Sequence, residues 1–353
     1  MANAINLAKV YVPICDEIYK EASLTADLDG AAELMREGYN AEEMVIPTIS
    51  INGLGAYSRN DGYTKGDATV TWETHKCNFD RGRMFSVDNL DDIETGGVAF
   101  GKLMGEFIRT KVVPELDAFR FSKYASAANI STVEPATLAN GADVVAALAA
   151  AHSKMDNDEV PREGRILYIT PDLMSLVENL DTNKSRAAIN RAAKVVVVPQ
   201  SRFYTKITQY DGSTEGQKVG GYTAAVGETF NATGDGSTKK FIIAAKPAFL
   251  DTVKVDNKAA AYTYNKETGE VAFETAPASS KAIEVAYGSG RNLNFMIIHP
   301  SAVIQFEKVV APKIVTPDVN PDGDAWKYGY RNVGIADVYE NKVAGIYAHV
   351  SAL

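Results

Sequence analysis

The stretch from Phe85 to Ser126 constrains the fold more than any other part of this 353-residue chain. Its second half repeats apolar residues at spacings of three and four, which places them along one face of a helix. These residues are Phe100, Leu103, Met104, Phe107, Val112, Leu116 and Phe119. A helix from Phe100 to Ala125 would be about 39 Å long, and Pro114 is expected to kink it or mark a restart. The pattern predicts a long, one-sided spine helix that needs other elements to pack against.

Acidic residues precede this helix. Asp91, Asp92 and Glu94 stand where carboxylates stabilise the unpaired N–H groups and the positive dipole end of a helix. That role explains the cluster, so an enzyme that uses Asp88, Asp91 or Asp92 is the weaker hypothesis. No serine or cysteine lies in a nucleophile motif, and no glycine-rich dinucleotide fingerprint follows a strand. We therefore predict no catalytic residue and no cofactor, and we expect that the protein is not an enzyme.

Two segments resemble ligand-binding motifs but lack a residue on which binding depends. The run from Gly96 to Lys102 has the spacing of a phosphate loop, but Leu103 stands where Ser or Thr would ligate magnesium. The run from Asp318 to Asp324 begins like a calcium loop, but Gly329 occupies the position of the final Glu. We interpret the first as a helix start and the second as a polar turn. The histidines and the two cysteines are scattered, so no metal site is predicted.

Composition and charge exclude further classes. The formal net charge of −9 works against non-specific binding to nucleic acid, which depends on Lys and Arg neutralising phosphates. No apolar run approaches the roughly 18 residues of a membrane span. The N-terminus carries acidic residues within its apolar part, unlike a signal peptide. We therefore expect neither a membrane protein nor one secreted by an ordinary signal.

Two N-terminal elements have little core of their own. The first is an arm with an amphipathic helix from Leu24 to Met35, which Thr25 or Asp27 would cap. The second is a β-hairpin, formed by the alternating runs Met44–Ile51 and Ala68–Phe79 around a glycine-rich tip. A two-stranded ribbon cannot bury itself alone, so it must lie against a neighbour or project from the body, and we predict that it is a contact between subunits. The residues proposed for that contact are Ile49, Ile51, Tyr63, Lys65, Val70 and Trp72.

After the spine, the pattern predicts an α+β body interrupted by a β-module. Helix, strand and helix follow one another from Asp143 to Leu180, and Val195–Val198 adds a buried strand. From Val219 to Ser289 only short strands separated by turns are predicted. We expect the glycine-containing ends of this module to be flexible hinges that lie close together. Its predicted core is Phe230, Phe241, Ile243, Val253, Val255, Tyr264, Val271, Phe273, Ile283 and Val285.

Several phrases in this order resemble the major capsid proteins of tailed bacteriophages with the Hong Kong 97-type fold. They are VVPELDAFRFSKYAS after the spine's start, VPREGRILYITPDL, VVVVPQSRF, NFMIIHPSAV and the closing DVYENKVAGIYAHV. The resemblance implies an N-terminal arm (1–45), an extended loop (46–84), a peripheral domain (85–138) and an axial domain (139–218). It also implies an inserted immunoglobulin-like sandwich (219–289) and C-terminal parts of the axial and peripheral domains (290–353).

By that resemblance the protein would assemble with itself into hexamers and pentamers of an icosahedral shell in the virion, made in the bacterial host cytoplasm. The shell would enclose double-stranded DNA without sequence-specific binding. A separate scaffolding protein, a portal and a decoration protein are the other implied partners. Some relatives cross-link subunits through a loop lysine, for which Lys65 is the candidate here, but we expect uncross-linked chains. The alternative is a phage or cell-surface protein whose β-module binds a carbohydrate.

Overall fold

The fold is described from a computed structural model. It covers residues 23–30, 36–37, 43–51, 53, 57, 59, 65–89, 98–133, 135–180, 182–211, 219–247 and 249–352. These residues form two compact units. The first takes the described residues of 29–100 and 304–336, and the second those of 23–28, 101–303 and 337–352.

The elements are mixed helices and strands, as an α+β fold requires. The strands are β1 (Arg36–Glu37), β2 (Glu43–Ile51), β3 (Ala68–Lys76), β4 (Phe79–Asp88), β5 (Ser131–Thr132), β6 (Ile166–Ile169), β7 (Lys194–Val197), β8 (Ile207–Gln209), β9 (Tyr222–Ala224), β10 (Glu228–Thr233), β11 (Lys240–Ile242), β12 (Leu250–Val255), β13 (Lys258–Ala259), β14 (Thr263–Asn265), β15 (Glu270–Ala272), β16 (Ala282–Tyr287), β17 (Leu293–Ile298), β18 (Val303–Val315), β19 (Ala325–Val338) and β20 (Ile346–Val350). The helices are α1 (Val98–Phe107), α2 (Val113–Ala125), α3 (Gly141–Asn157), α4 (Pro171–Glu178) and α5 (Asn183–Ile189).

The first unit consists of two antiparallel sheets. One has the strand order β1-β2-β3, and the other has the order β18-β19-β4. Strands β4 and β19 pair from Asp88 opposite Ala325 to Phe79 opposite Gly334, which makes a long ladder. Strands β18 and β19 form a long hairpin. The connection between them, which includes the 3-10 turn Pro317–Val319, is its tip.

The spine helix is interrupted where the sequence predicts. Between α1 and α2 the residues Ile108–Val112 form a π-helical turn, and Pro114 lies in the first turn of α2. Proline has no N–H to donate to the preceding turn, and a π-helical turn accommodates that missing bond. The kink or restart expected at Pro114 is therefore a π-helical turn within a backbone that stays helical from Val98 to Ala125.

The expectation of a one-sided spine is wrong for α2. Every residue from Leu116 to Ser122 is buried, including the charged residues Asp117 and Arg120. These charged groups are hydrogen-bonded to other segments, so the polar face of α2 is covered as well. Of the predicted packing residues, Met104, Leu116 and Phe119 are buried and Leu103 and Phe107 are half-buried. The side chain of Phe100 lies outside the described residues.

The predicted helix from Leu24 to Met35 is also wrong in its described part. Ala26–Leu28 form a single 3-10 turn, and Asp29 and Gly30 do not continue it. The reason is tertiary, because Ser23, Leu24 and Thr25 donate hydrogen bonds to Asp117 on α2. Residues 31–35 lie outside the described residues.

A mixed sheet with the order β5-β20-β17-β6-β7 organises the second unit. Strand β17 runs antiparallel to β20 and β6, while β6 and β7 are parallel. Helices α3, α4 and α5 supply apolar side chains that pack with those of the sheet. The buried cluster they share is Val144, Leu148, Ala151, Met155, Leu167, Ile169, Leu173, Val177, Ala188, Phe295, Ile297 and Tyr347.

The β-module of the second unit is a two-layer sandwich. One sheet has the order β10-β16-β12-β13 and the other β11-β15-β14. All ten predicted core residues lie in or against its buried cluster, to which Leu250 also belongs. The first strand, β10, pairs antiparallel with the last, β16. In an immunoglobulin constant domain the first strand belongs to the other sheet, so the immunoglobulin-like classification stays a prediction.

A buried ion pair fixes the sandwich to the rest of the second unit. The side chains of Arg291 and Asp251 are 6% and 8% exposed, and Nε of Arg291 donates to Oδ1 of Asp251 over 2.8 Å. Nη2 of Arg291 donates to the carbonyl of Leu250 at 2.8 Å, and its backbone N–H donates to Oγ1 of Thr205 at 2.9 Å. The other oxygen of Asp251 accepts from the N–H of Ser289 at 2.9 Å. Arg291 therefore ties the sandwich to the segment that precedes β8.

The expected flexible hinge at Gly288-Ser289-Gly290 is wrong. The N–H of Gly290 donates to the carbonyl of Ala225 at 2.8 Å. A Cβ at position 290 would lie 2.1 Å from the carbonyl oxygen of Lys206, so this glycine permits close packing. The same hydrogen bond brings the two ends of the insert together, which confirms that part of the expectation.

A second polar cluster is buried next to the mixed sheet. His152 and Arg165 are 2% and 1% exposed, and Nη2 of Arg165 donates to Oδ1 of Asp156 at 2.8 Å. Burial lowers the pKa of His152 to about 4, helped by the nearby positive charges of Arg165 and Arg191. The folded protein therefore holds this imidazole neutral at pH values where an exposed histidine is protonated.

The first prediction concerns pH. The unfolded chain protonates His152 near its ordinary pKa of 6.5, whereas the folded chain does so only near about 4. The contribution of neutral His152 to the free energy of unfolding is fully present above pH 6.5. It falls by about 3 kcal/mol as the pH drops towards 4. Urea unfolding at pH 7 and at pH 4.5 measures the free energy of unfolding at each pH. Between these two values it should fall less for His152→Gln than for the unmodified chain. The same loss in both proteins would contradict the prediction.

The second prediction concerns the ion pair. Arg291→Met leaves the carboxylate of Asp251 buried without its partner, so the free energy of unfolding should fall by about 3–5 kcal/mol. Amide hydrogen exchange at Ser289 and Gly290 should accelerate. The matched control is Arg162→Met, which removes a guanidinium whose side chain is 80% exposed and should cost less than about 1 kcal/mol. Equal effects of the two substitutions would show that the attachment of the sandwich to the rest of the second unit does not depend on Arg291.

Candidate functional site

The candidate site is the exposed ribbon made of β2 and β3. The two strands pair over their full length, from Glu43 opposite Lys76 to Ile51 opposite Ala68. This register places Val70 opposite Ile49 and Trp72 opposite Pro47. Side chains of a strand alternate between its faces, so Val70 and Trp72 share one face of β3. The structure therefore brings the predicted contact residues of the two strands into register.

This face of β3 is apolar and exposed. Val70 is 53% exposed and Trp72 is 49% exposed. An aromatic side chain offers about 150–250 Å² for burial, so covering the exposed half of Trp72 would contribute about 2–3 kcal/mol. Covering the exposed half of Val70 would add roughly 1 kcal/mol. A partner that covers this face of the ribbon would form a complex stabilised by about this free energy.

The tip of the ribbon is described only in part. Tyr57 is 63% exposed, and Arg59 and Lys65 are exposed as well. The predicted contact residue Tyr63 lies outside the described residues. Lys65 is exposed, and its role as a cross-linking residue stays a prediction, as does the expectation that the chains are not cross-linked.

A buried carboxylate on α2 holds the segment that leads towards the ribbon. Asp117 is fully buried and accepts hydrogen bonds from Oγ of Ser23 (3.0 Å), the N–H of Leu24 (3.1 Å), Oγ1 of Thr25 (2.8 Å) and Nη1 of Arg202 (3.3 Å). Arg202 provides a compensating positive charge. The carboxylate is thus satisfied on both oxygens, as burial of a charge requires.

Two further contacts complete this clasp, which comprises Ser23–Leu28 and Asp117. Arg120, one turn along α2, is 1% exposed and donates from Nη1 to Oγ1 of Thr25 at 2.9 Å. Lys194 forms an ion pair with Asp27 at 2.5 Å. The clasp therefore holds Ser23–Leu28 in place within the second unit.

The sequence reasoning missed Asp117 and Arg120. Both interrupt the apolar spacing of the spine and stand three positions apart, within the phrase ELDAFRF. A charged pair inside an otherwise apolar helical run is a signal of buried polar contacts. Their partners lie more than eighty residues away in sequence, so the signal does not name them.

The other acidic candidates show no sign of a catalytic or metal-binding group among the described residues. Asp88 is exposed at the end of β4, whereas Asp91 and Asp92 lie outside the described residues. Asp318–Asp324 form a polar turn, as interpreted, in which Nδ2 of Asn320 donates to the carbonyl of Ala325 at 2.9 Å. Within the described ranges no group of three or more His, Cys, Asp or Glu residues could hold a metal ion.

Among the described residues, none forms a helix with the length and the apolar character needed to cross a membrane.

Comparison with known proteins identifies the fold by structure alone. No protein-family model matches the chain, and the sequence comparison with curated proteins finds no significant match. A capsid structure of the cyanophage P-SCSP1u superposes with a TM-score of 0.51 and 10% identity, covering 94% of this chain and 88% of that chain. A structure from Gordonia phage Cozz has a TM-score of 0.49 and 10% identity, with coverages of 94% and 87%.

A virus-like particle from Pyrococcus furiosus has a TM-score of 0.48 and 10% identity, with 95% of each chain covered. The TM-scores of these last two are lower, so we base the fold assignment on the cyanophage structure. The chain has the fold of a phage capsid protein, which confirms the α+β, Hong Kong 97-type fold expected from the sequence.

The third prediction tests the clasp. Asp117→Ala removes the carboxylate that faces Arg202 and the donors of Ser23–Thr25, so the free energy of unfolding should fall by about 3–5 kcal/mol. The matched control is Glu106→Ala, because Glu106 pairs with Arg109 on the exposed part of the spine, where such pairs contribute less than about 1 kcal/mol. Chemical denaturation measures both. A cost for Asp117→Ala no larger than that for Glu106→Ala would refute the clasp.

Proposed function

We propose that this protein is the major capsid protein of a tailed bacteriophage or prophage. In this proposal, copies of the chain assemble into an icosahedral shell of hexamers and pentamers around double-stranded DNA. The observation that carries it is the agreement in fold over 94% of this chain with a protein of the cyanophage P-SCSP1u capsid. The protein would work in the virion, after synthesis in the cytoplasm of the bacterial host.

The geometry of the ribbon supports self-assembly. A two-stranded ribbon with exposed Val70 and Trp72 gains stability when another molecule covers that face. Identical subunits joined by one repeated contact form a closed ring when successive rotations return to the first subunit. If each copy presents this face to one neighbour and covers the same face of another, the contact can repeat around a shell.

A shell protein works by geometry and needs no turnover, so the proposal includes no catalytic residue. A scaffolding protein, a portal and a decoration protein are the proposed partners, together with DNA bound without sequence specificity. The sandwich from β10 to β16 is proposed to lie on the outer surface, because packaged DNA occupies the interior.

The size of the purified protein tests this function. Each chain has a mass of 38.1 kDa, and the proposal requires rings or particles that sediment far faster than one chain or a dimer. Analytical ultracentrifugation of the full chain, followed by negative-stain microscopy of the fastest fraction, should show closed shells. A protein that remains a small, discrete oligomer with and without co-expressed phage proteins would contradict the proposed function.

The fourth prediction separates the ribbon's apolar face from its other face. The variant Val70→Ala with Trp72→Ala should fold but give at least about tenfold fewer particles, since each subunit contact loses about 3 kcal/mol of apolar burial. The matched control changes Thr69 and Thr71, which alternate with them on the same strand, to Ala. Particle yield by sedimentation measures both. Equal yields from the two variants would remove this face from the assembly contact.

A further inference from the structure

A cleft of about 1160 Å³ lies within the second unit, beside the sandwich. One wall is the end of α2 and the turn after it, including Lys123 and Ser126, and the opposite wall comes from turns of the sandwich. The buried pair of Arg291 and Asp251 also lines the cleft. Arg291 donates to Asp251 of the sandwich and to Thr205 of the segment before β8, so it holds these two parts of the lining together.

Basic residues from separate segments converge on the cleft. Lys123 comes from α2, Lys206 from the segment before β8, and Lys246 and Lys266 from two turns of the sandwich. With Arg291 they outnumber the lining acids Glu228, Asp251 and Glu267 by five to three. The cleft therefore carries a formal charge of +2 on a chain whose net charge is −9.

Some of these charges are already neutralised. Arg291 pairs with Asp251, and Lys206 lies 4.0 Å from Glu228. Lys246 and Lys266 take part in no ion pair within the described part of the chain, and the turns that carry them are held by hydrogen bonds. The N–H of Lys246 donates to the carbonyl of Ile243 at 3.1 Å, and Asn265 accepts from the N–H of Glu267 at 3.0 Å. The two ammonium groups are thus presented by ordered turns.

The tip of the β18–β19 hairpin has the opposite character. Asp318, Asp322 and Asp324 are exposed there, and Val319 is 70% exposed. Asp322 forms an ion pair with Lys327, whereas Asp318 and Asp324 take part in no ion pair among the residues that the structure describes. The turn is internally bonded, since the N–H of Asn320 donates to the carbonyl of Thr316 at 3.1 Å. The tip is therefore an ordered acidic turn that also exposes the apolar side chain of Val319.

We propose that the basic cleft of one subunit binds the acidic hairpin tip, residues 317–324, of a neighbouring copy of the chain. The inference rests on the proposed function, because it needs repeated copies held side by side. Two exposed aspartates meet two lysines without ion-pair partners, and the apolar side chain of Val319 meets the alkyl stems of the lysines that line the cleft. Complementary charge selects the partner and its register, while like charges placed together cost several kcal/mol.

A charge-reversal cycle in the full chain tests this contact. The cleft variant is Lys246→Glu with Lys266→Glu, the tip variant is Asp318→Lys with Asp324→Lys, and the fourth protein carries all four changes. The matched control is Lys239→Glu with Lys258→Glu, two exposed sandwich lysines that do not line the cleft. Thermal unfolding first verifies that each protein folds, and sedimentation then gives the particle yield.

We expect the cleft and tip variants each to lower the yield about tenfold or more, the combined variant to restore it to within about threefold, and the control to match the unmodified protein. The inference is overturned if either double variant assembles normally, if the combined variant stays defective, or if the control is equally impaired. Failure of the unmodified protein to form particles would instead overturn the proposed function.

A covalent trap gives a second readout. In a chain with both native cysteines changed to Ser, Lys246→Cys and Asp318→Cys should form disulfides between subunits when particles are oxidised, because a bridge needs Cα atoms within about 7 Å. Denaturing gels without reductant should then show a ladder that reductant removes. A single band at the mass of one chain would contradict a contact between copies.

Discussion

The ribbon of β2 and β3, with the two-residue strand β1 beside β2, has two faces and no interior. Strands β2 and β3 satisfy each other's backbone groups along their shared ladder, but nothing in a pair of strands can shield Val70 and Trp72 from water. The exposed area is useful only if another surface arrives in a defined orientation. A contact of that kind repeats accurately only when the element that carries it, and the surface that receives it, are rigid.

Buried charged groups supply rigidity in the second unit. Asp117 holds the segment from Ser23, and Arg291 with Asp251 holds the sandwich. Such groups add little net stability compared with apolar residues of the same size, yet breaking one partner is costly, because a buried charge is left uncompensated. They therefore favour one arrangement over others that bury the same apolar area. A shell built from many identical contacts needs that selectivity, since small angular errors accumulate around a closed ring.

Periodicity predicted the parts of the fold that local patterns determine. The change of helix geometry before Pro114 follows from proline chemistry, and the core of the sandwich follows from strand alternation. The predicted helix at Leu24 failed because hydrogen bonds to Asp117, far away in sequence, replaced the bonds of a helix. The hinge at Gly290 failed for a related reason, since a glycine that permits close packing cannot be told from one that permits motion without knowing its neighbours. The pairing of β2 with β3 was predictable from strand alternation, whereas a contact between copies of the chain joins residues that no local pattern relates, so the sequence alone does not name the surface proposed to cover the ribbon.

The central claim is that the apolar face of the ribbon is covered by another copy of the chain in a closed shell. Electron cryomicroscopy of purified particles, at a resolution that shows side chains, tests it most directly. The account predicts hexamers and pentamers in which Trp72 of each subunit lies against a neighbouring subunit, with its indole ring removed from solvent. A shell in which Trp72 stays as exposed as in the single chain, or a preparation without any closed assembly, would contradict it.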